Sequence, residues 1–257
     1  MRECMSKQYT GLFADFYDLI QNTCYELPAY IEFMKTYGNT ILELGSGTGR
    51  LTIPLAHAGA RITGLDINDD MIALCQRKIN DAIKNNIKII HGDMTNFHLS
   101  DSFDLVVAPC NAINHLLSLD ELTKMLLCVR DHLRPNGRLI IDNSLPRVDE
   151  LLKSNGELEI NDFVNKEKNT VIRDYYVANY DFVNGLEYDH IKLEEYANNS
   201  LMRVEEIDET TAFYYPRELR YVLMSNDYTI EREIGSLKNG TKLTKESKEM
   251  VFICSKN

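Results

Sequence analysis

Three carboxylates of this chain, Glu43, Asp66 and Asp93, each stand at the end of a short apolar run, and between the first two lies the loop Gly45-Ser46-Gly47-Thr48-Gly49. Glycine at every second position lets the backbone turn tightly and approach a ligand with no Cβ in the way. The spacing bears on which ligand that is. A dinucleotide fingerprint carries its third glycine at the sixth position, where it allows close helix-to-strand packing, and this chain has Arg50 there. Glu43 would set negative charge beside a phosphate, yet it suits a ligand with a cationic centre. A nicotinamide oxidoreductase is therefore disfavoured, and no Tyr-x-x-x-Lys pair falls on an expected helix to rescue it.

These residues need a scaffold that brings strand ends together. From about Tyr37 to Asn143 the pattern alternates between strands and helices, which calls for a parallel sheet covered on both faces. Strands are expected over 40–44, 61–65, 87–91, 103–108 and 137–143, with helices near 49–59, 69–84 and 119–133. Asn68 can cap the second helix, with Asp69 and Asp70 in its first turn, and Pro135-Asn136-Gly137 ends the third. In an open α/β sheet ligands bind along the carboxyl ends of the strands, where all three acids fall. An acid at a strand end is also a common helix cap, and it is the combination that points to a site.

Beyond Pro146 the period changes. Val171 to Phe182, Glu187 to Tyr196 and Leu201 to Tyr215 alternate in side-chain character, with turns at Asn184-Gly185 and Asn198-Asn199-Ser200, so hairpins are expected. A helix from Pro216 to about Asn226 and strands over 228–235 and 248–255 complete a seven-stranded main sheet.

Residues 41 to 49, an acidic residue followed by G-x-G-x-G, resemble the first motif of the class I S-adenosylmethionine-dependent methyltransferases. The resemblance implies a Rossmann-like α/β fold with a seven-stranded sheet and places an acid on the two ribose hydroxyls at Asp66, 17 residues beyond Gly49. A carboxylate offers two oxygens for that task. It further implies contacts to adenine from Asp93 and Met94, and a cofactor set of Glu43, Gly45, Ser46, Gly47, Gly49, Asp66, Ile67, Asp93, Met94 and Cys110. The inserted antiparallel meander fits the small-molecule, sugar-amine N-methyltransferase-like branch. In that reading residues 1–37 form a helical lid, 38–145 and 216–257 the cofactor-binding domain, and 146–215 a sheet over the active site.

Methyl transfer from a sulfonium has an excellent leaving group, so the enzyme has mainly to align a nucleophile and exclude water. An amine must be neutral when it attacks and a hydroxyl needs a base, which makes histidine the natural helper. The loop after the fourth expected strand, Ala108 to His115, supplies His115, and the resemblance puts a histidine there beside the methyl group. Packing is an equal reading of His115. Tyr17, in Phe13-Ala14-Asp15-Phe16-Tyr17-Asp18, matches a lid tyrosine of the family and is taken as a catalytic and substrate residue; the alternative is membership of an apolar helical stripe. Tyr25, Asn111 and His115 are further expected acceptor contacts, with Tyr175 and Tyr214 as candidates from the meander. Ala108-Pro109-Cys110-Asn111 lacks the second proline and the aromatic of base N-methyltransferases, and Cys110 reads more readily as a small packing residue than as a nucleophile.

Composition narrows the classes. At 257 residues and 44% apolar content, the chain can bury a full core without a metal or disulfide staple. Its six cysteines include no C-x-x-C pair and its histidines show no metal spacing, so no metal is expected and a reducing cytoplasm is. Net charge −11 with no basic cluster weighs against nucleic acid. No apolar run approaches the roughly 20 residues of a membrane span, and Met1 to Met5 lacks the apolar core of a signal peptide. The expected function is methyl transfer to a small molecule by a monomer or homodimer, with nitrogen ahead of oxygen as the acceptor atom. The alternatives of a different class are an NAD(P)-dependent oxidoreductase and a non-catalytic S-adenosylmethionine-binding module.

Overall fold

The computed structural model of the protein describes residues 9–257. Residues 1–8, with Cys4 and the beginning of the expected lid, lie outside the described residues. Two helices come first, α1 (Gly11–Ile20) and α2 (Leu27–Tyr37). The parallel unit then runs β1 (Thr40–Leu44), α3 (Thr52–His57), β2 (Arg61–Asp66), α4 (Asp69–Lys78), β3 (Ile87–His91), β4 (Phe103–Ala108), a 3-10 turn (Ala112–His115), α5 (Leu119–His132) and β5 (Leu133–Ser144). After α6 (Val148–Ser154) come β6 (Leu158–Asn165), β7 (Thr170–Asp181), β8 (Leu186–Ala197) and β9 (Ser200–Ala212). The chain closes with α7 (Pro216–Ser225), β10 (Tyr228–Ser236), β11 (Thr241–Lys242) and β12 (Glu249–Lys256).

Alternation of side chains along β1 explains the layers. Leu42 and Leu44 face a core shared with Leu126 and Val129 of α5 and Leu223 of α7, whereas Ile41 faces Phe33 of α2 and Leu55 of α3. Both faces of the sheet are thus covered, as a buried parallel sheet requires. Strand order is β11-β10-β12-β5-β4-β1-β2-β3, with β12 antiparallel to both of its neighbours, β5 and β10. The order reverses between β1 and β4, the crevice where such folds bind ligands.

Strands β6-β7-β8-β9 form a separate antiparallel sheet. The β8–β9 turn is the two residues Asn198 and Asn199, both left-handed, the twist that tight hairpins need. Along the inner face of this sheet, Ile172 and Leu193 pack under Leu12 and Phe16 of α1.

Several boundaries differ from the sequence reading. Helix α4 stops at Lys78 rather than 84, because Asn80 turns back on itself through its side chain, which accepts the Ala82 amide at 3.0 Å. The third hairpin strand ends at Ala212 and not at Tyr215. The main sheet gains β11 at its edge as an eighth strand, and the second sheet gains β6. Strand β6 escaped notice because it is an edge strand exposed on both faces; its one anchor is Phe163, whose ring meets Phe16 edge-on at 5.0 Å.

Candidate active site

Glu43 stands one residue before the end of β1 and is only 2% exposed. Thr52 Oγ1 donates to its carboxylate at 2.6 Å. Burial pushes this carboxyl up to about 8, against the opposing pull of Thr52 and the Arg50 guanidinium. Beyond it the chain makes its loop with Gly45, Gly47 and Gly49 all at positive φ. The amides of Gly45 and Ser46 donate to the Leu65 carbonyl at 2.8 and 3.1 Å, pinning the loop against the end of β2.

Asp66 ends β2 and organises the same loop. It accepts the Gly47 amide at 2.6 Å and the Asn68 amide at 2.9 Å, and burial raises its pKa. Asp93, after β3, accepts both the amide and the hydroxyl of Thr95 at 2.7 Å. All three acids line one cavity of about 350 Å³, together with Gly45, Ser46, Gly47, Ile67, Met94 and Cys110. Gly49 does not line it. It lies beneath the loop, where a Cβ would stand 2.6 Å from Cys75 Sγ.

Helix α1 closes one side. Asp18 accepts the Thr48 hydroxyl at 2.6 Å and pairs with Lys78, which also donates to the Thr48 carbonyl at 3.1 Å. Helix α1 is thereby clipped to the glycine loop and to α4. Phe16 takes the apolar stripe of α1, while Tyr17 lines the cavity and meets Tyr9 edge-on at 5.6 Å. Burial raises the Tyr17 phenol well above its ordinary range.

Behind β4 the backbone takes two consecutive left-handed residues, Cys110 (φ 51) and Asn111 (φ 63). Such non-glycine conformations need external support, and here Asn111 donates to the Asp142 carbonyl at 3.0 Å and accepts the Ser144 amide at 2.6 Å. The turn sends the 3-10 segment into the cavity, where His115 ends it. Burial lowers the His115 pKa, so the imidazole is neutral at neutral pH, and Tyr9 packs edge-on against it at 6.0 Å. Cys110 also lines the cavity, with its thiol pushed up by burial, the opposite of what a nucleophilic thiolate needs.

Three expected contacts lie elsewhere. Tyr25 is 56% exposed and does not line the cavity; it stands near Glu249 and Asp142. Tyr175 points to the outer face of the second sheet and donates to Glu194 at 3.0 Å. Tyr214 is buried, bonded to the Leu116 carbonyl. The second sheet instead presents Tyr176, Glu187, Asp189, Glu209 and Thr211 to the cavity. In sequence Glu187 and Asp189 flank Tyr188 and read as an ordinary solvated strand face, so only the docking of the sheet reveals them. The sequence signal was ambiguous, because Tyr188 is the residue that faces outward.

The central unit is similar in sequence to known proteins. Residues 41–137 match the model of a methyltransferase domain. The matched segment carries β1 to the start of β5, hence Glu43, Asp66, Asp93 and His115. Over 140 residues the chain is 33% identical to a Geobacillus sp. protein named as a methyltransferase, spanning 51% of this chain and 55% of the relative. Over 142 residues it is 28% identical to dTDP-3-amino-3,6-dideoxy-alpha-D-glucopyranose N,N-dimethyltransferase of Streptomyces fradiae, spanning 52% and 54%. The chain thus spans about half the length of the curated relatives it matches. The fold as a whole is that of an S-adenosylmethionine-dependent methyltransferase from Clostridium acetobutylicum, with TM-score 0.79 at 18% identity over 96% of this chain and 98% of that one.

Proposed function

We propose that the chain is an enzyme that transfers a methyl group from S-adenosylmethionine to a small-molecule acceptor, at an amine nitrogen. The observation that carries this reading is the convergence of Glu43, Asp66 and Asp93, from three successive strand ends, on a single cavity that also contains His115. Among the described residues no helix is long and apolar enough to cross a membrane, and five free thiols suit a reducing cytoplasm.

The residues present fit the cofactor. Buried Glu43 offers negative charge beside the glycine loop, Ser46 Oγ is buried there without a hydrogen-bond partner, and Asp66 accepts two amides with further lone pairs to offer two hydroxyls. Met94 supplies apolar surface beside Asp93, and Ile67 and Cys110 complete the lining. Bound S-adenosylmethionine would supply an electrophilic methyl group on a cationic sulfur. The chain's own work is then positional. Tyr17 and Asn111 flank the acceptor, α1 and the second sheet keep water out, and the imidazole of His115, its pKa lowered by burial, accepts a hydrogen bond from the acceptor. In this reading residues 1–37 act as lid, 38–145 and 216–257 as the cofactor domain, and 146–215 as the cover.

Titration calorimetry with S-adenosylmethionine, S-adenosylhomocysteine and NAD tests the cofactor. Binding of both sulfur nucleosides and not of NAD is expected, and the reverse preference would overturn the assignment. Radiolabelled methyl transfer to small amines then separates an enzyme from a binding module.

A further inference from the structure

The inner face of the second sheet changes character along its length. Period-two alternation places Ile172 and Tyr176 of β7, Glu187, Asp189 and Leu193 of β8, and Glu209 of β9 on that one face. Its apolar end is covered by α1, as described above. Its other end faces the cavity with three carboxylates at positions where a half-buried strand ordinarily carries apolar residues.

Two of these acids are a direct cross-strand pair: the register sets Asp189 opposite Glu209, and each residue is only 8% exposed. Like charges directly opposed destabilise a sheet, more so out of water, so the pair calls for a positive partner. Asp189 and Glu187 both accept the Tyr176 hydroxyl, at 2.8 and 3.1 Å. Glu209 Oε1, by contrast, is buried with no hydrogen-bond partner, and the cation-forming group facing it, His115 Nδ1, stands 3.6 Å away with its pKa lowered by burial. The one guanidinium that lines the cavity among the described residues, Arg50, is already paired with Glu26 at 2.5 Å.

We propose that Glu209, with Asp189 behind it, binds the acceptor's nitrogen as an ammonium cation and so selects amines over alcohols. This deepens the methyl-transfer reading and rests on it. The ammonium gives up one proton in place: its N–H bond breaks, an O–H bond forms on Glu209, and nitrogen keeps the electron pair it needs as a nucleophile. Burial and the neighbouring Asp189 and Glu187 charges push the Glu209 carboxyl up to about 7, which makes it a stronger proton acceptor than an ordinary carboxylate. A metal is a poorer occupant, because no group of three or more ligating side chains converges here among the described residues.

The test uses a cation and its neutral isostere, cyclohexylamine and cyclohexanol, titrated calorimetrically into the protein saturated with S-adenosylhomocysteine at neutral pH. The wild type should prefer the amine by about tenfold, the scale of one charge-assisted hydrogen bond. Glu209→Gln, which keeps the shape and removes the charge, should abolish that preference, and Asp189→Asn should reduce it. An amine preference that survives in Glu209→Gln would overturn the proposal, as would its absence from the wild type. If Glu209 merely held His115 by hydrogen bonding, Gln would leave the preference intact. Binding of S-adenosylhomocysteine, recorded first on each sample, reports separately on the methyl-transfer reading, and its failure would not mimic a lost amine preference, since the two probes are also titrated into the free protein.

Discussion

His115 Nδ1 and Glu209 Oε1 approach to 3.6 Å, so the turn after β4 and the last strand of the second sheet meet across the cavity. The first residue comes from the parallel unit and the second from the separate antiparallel sheet. His115→Ala should lower turnover by about a hundredfold, in the range for a lost acid–base group, while leaving S-adenosylhomocysteine affinity unchanged. Single-turnover rates with parallel calorimetry check this; an unaltered rate would assign His115 to packing.

Asp66 does two jobs in the structure, holding the glycine loop through Gly47 and the next turn through Asn68. Asp66→Ala should weaken cofactor binding by about 1–3 kcal/mol, the usual loss for deleting a well-placed buried hydrogen-bonding group. Equal affinity in a calorimetric titration would refute its role at the ribose.

The clip between α1 and the glycine loop depends on Asp18, which takes both the Thr48 hydroxyl and the Lys78 ammonium. In Asp18→Ala helix α1 should detach more often, and hydrogen exchange of the α1 amides should speed up while the β1 and β4 amides keep their protection. Uniform acceleration across the chain would indicate global destabilisation instead.

Gly49 sits at φ +83 with Cys75 Sγ 2.6 Å from where a Cβ would be. Gly49→Ala therefore combines backbone strain with overpacking and should cost about 1–3 kcal/mol of stability, measured by denaturant unfolding. A cost below about 0.5 kcal/mol would show that the loop relaxes freely.

Stability should also depend on pH in a definite direction. Glu43, pushed up to about 8, and Asp142 and Glu209, pushed up to about 7, all owe the shift first to burial. Each holds its proton more tightly folded than unfolded, so its contribution is fully present below the ordinary carboxylate pKa of about 4 and is lost as pH rises through about 7 to 8. The ligand-free protein should therefore lose thermal stability across that window, and Glu209→Gln should flatten the profile. A Tm that climbs from acid to neutral pH in the ligand-free protein would contradict this.

The sequence by itself determined the parallel unit and its three strand-end acids. Apolar period and glycine spacing are local signals, and β1 to β4 with Glu43, Asp66 and Asp93 follow from them within a few residues of the observed boundaries. Tertiary structure alone decided which residues the second sheet turns toward the cavity. Whether an alternating strand shows its acids to water or to a cavity depends on which face docks, and that is settled by packing of Leu193 under Leu12 and Phe16, residues far away in sequence. The same freedom misplaced Tyr175, whose neighbour Tyr176 faces inward, and hid the opposition of Asp189 and Glu209, which are 20 residues apart in sequence and become partners only through the strand register.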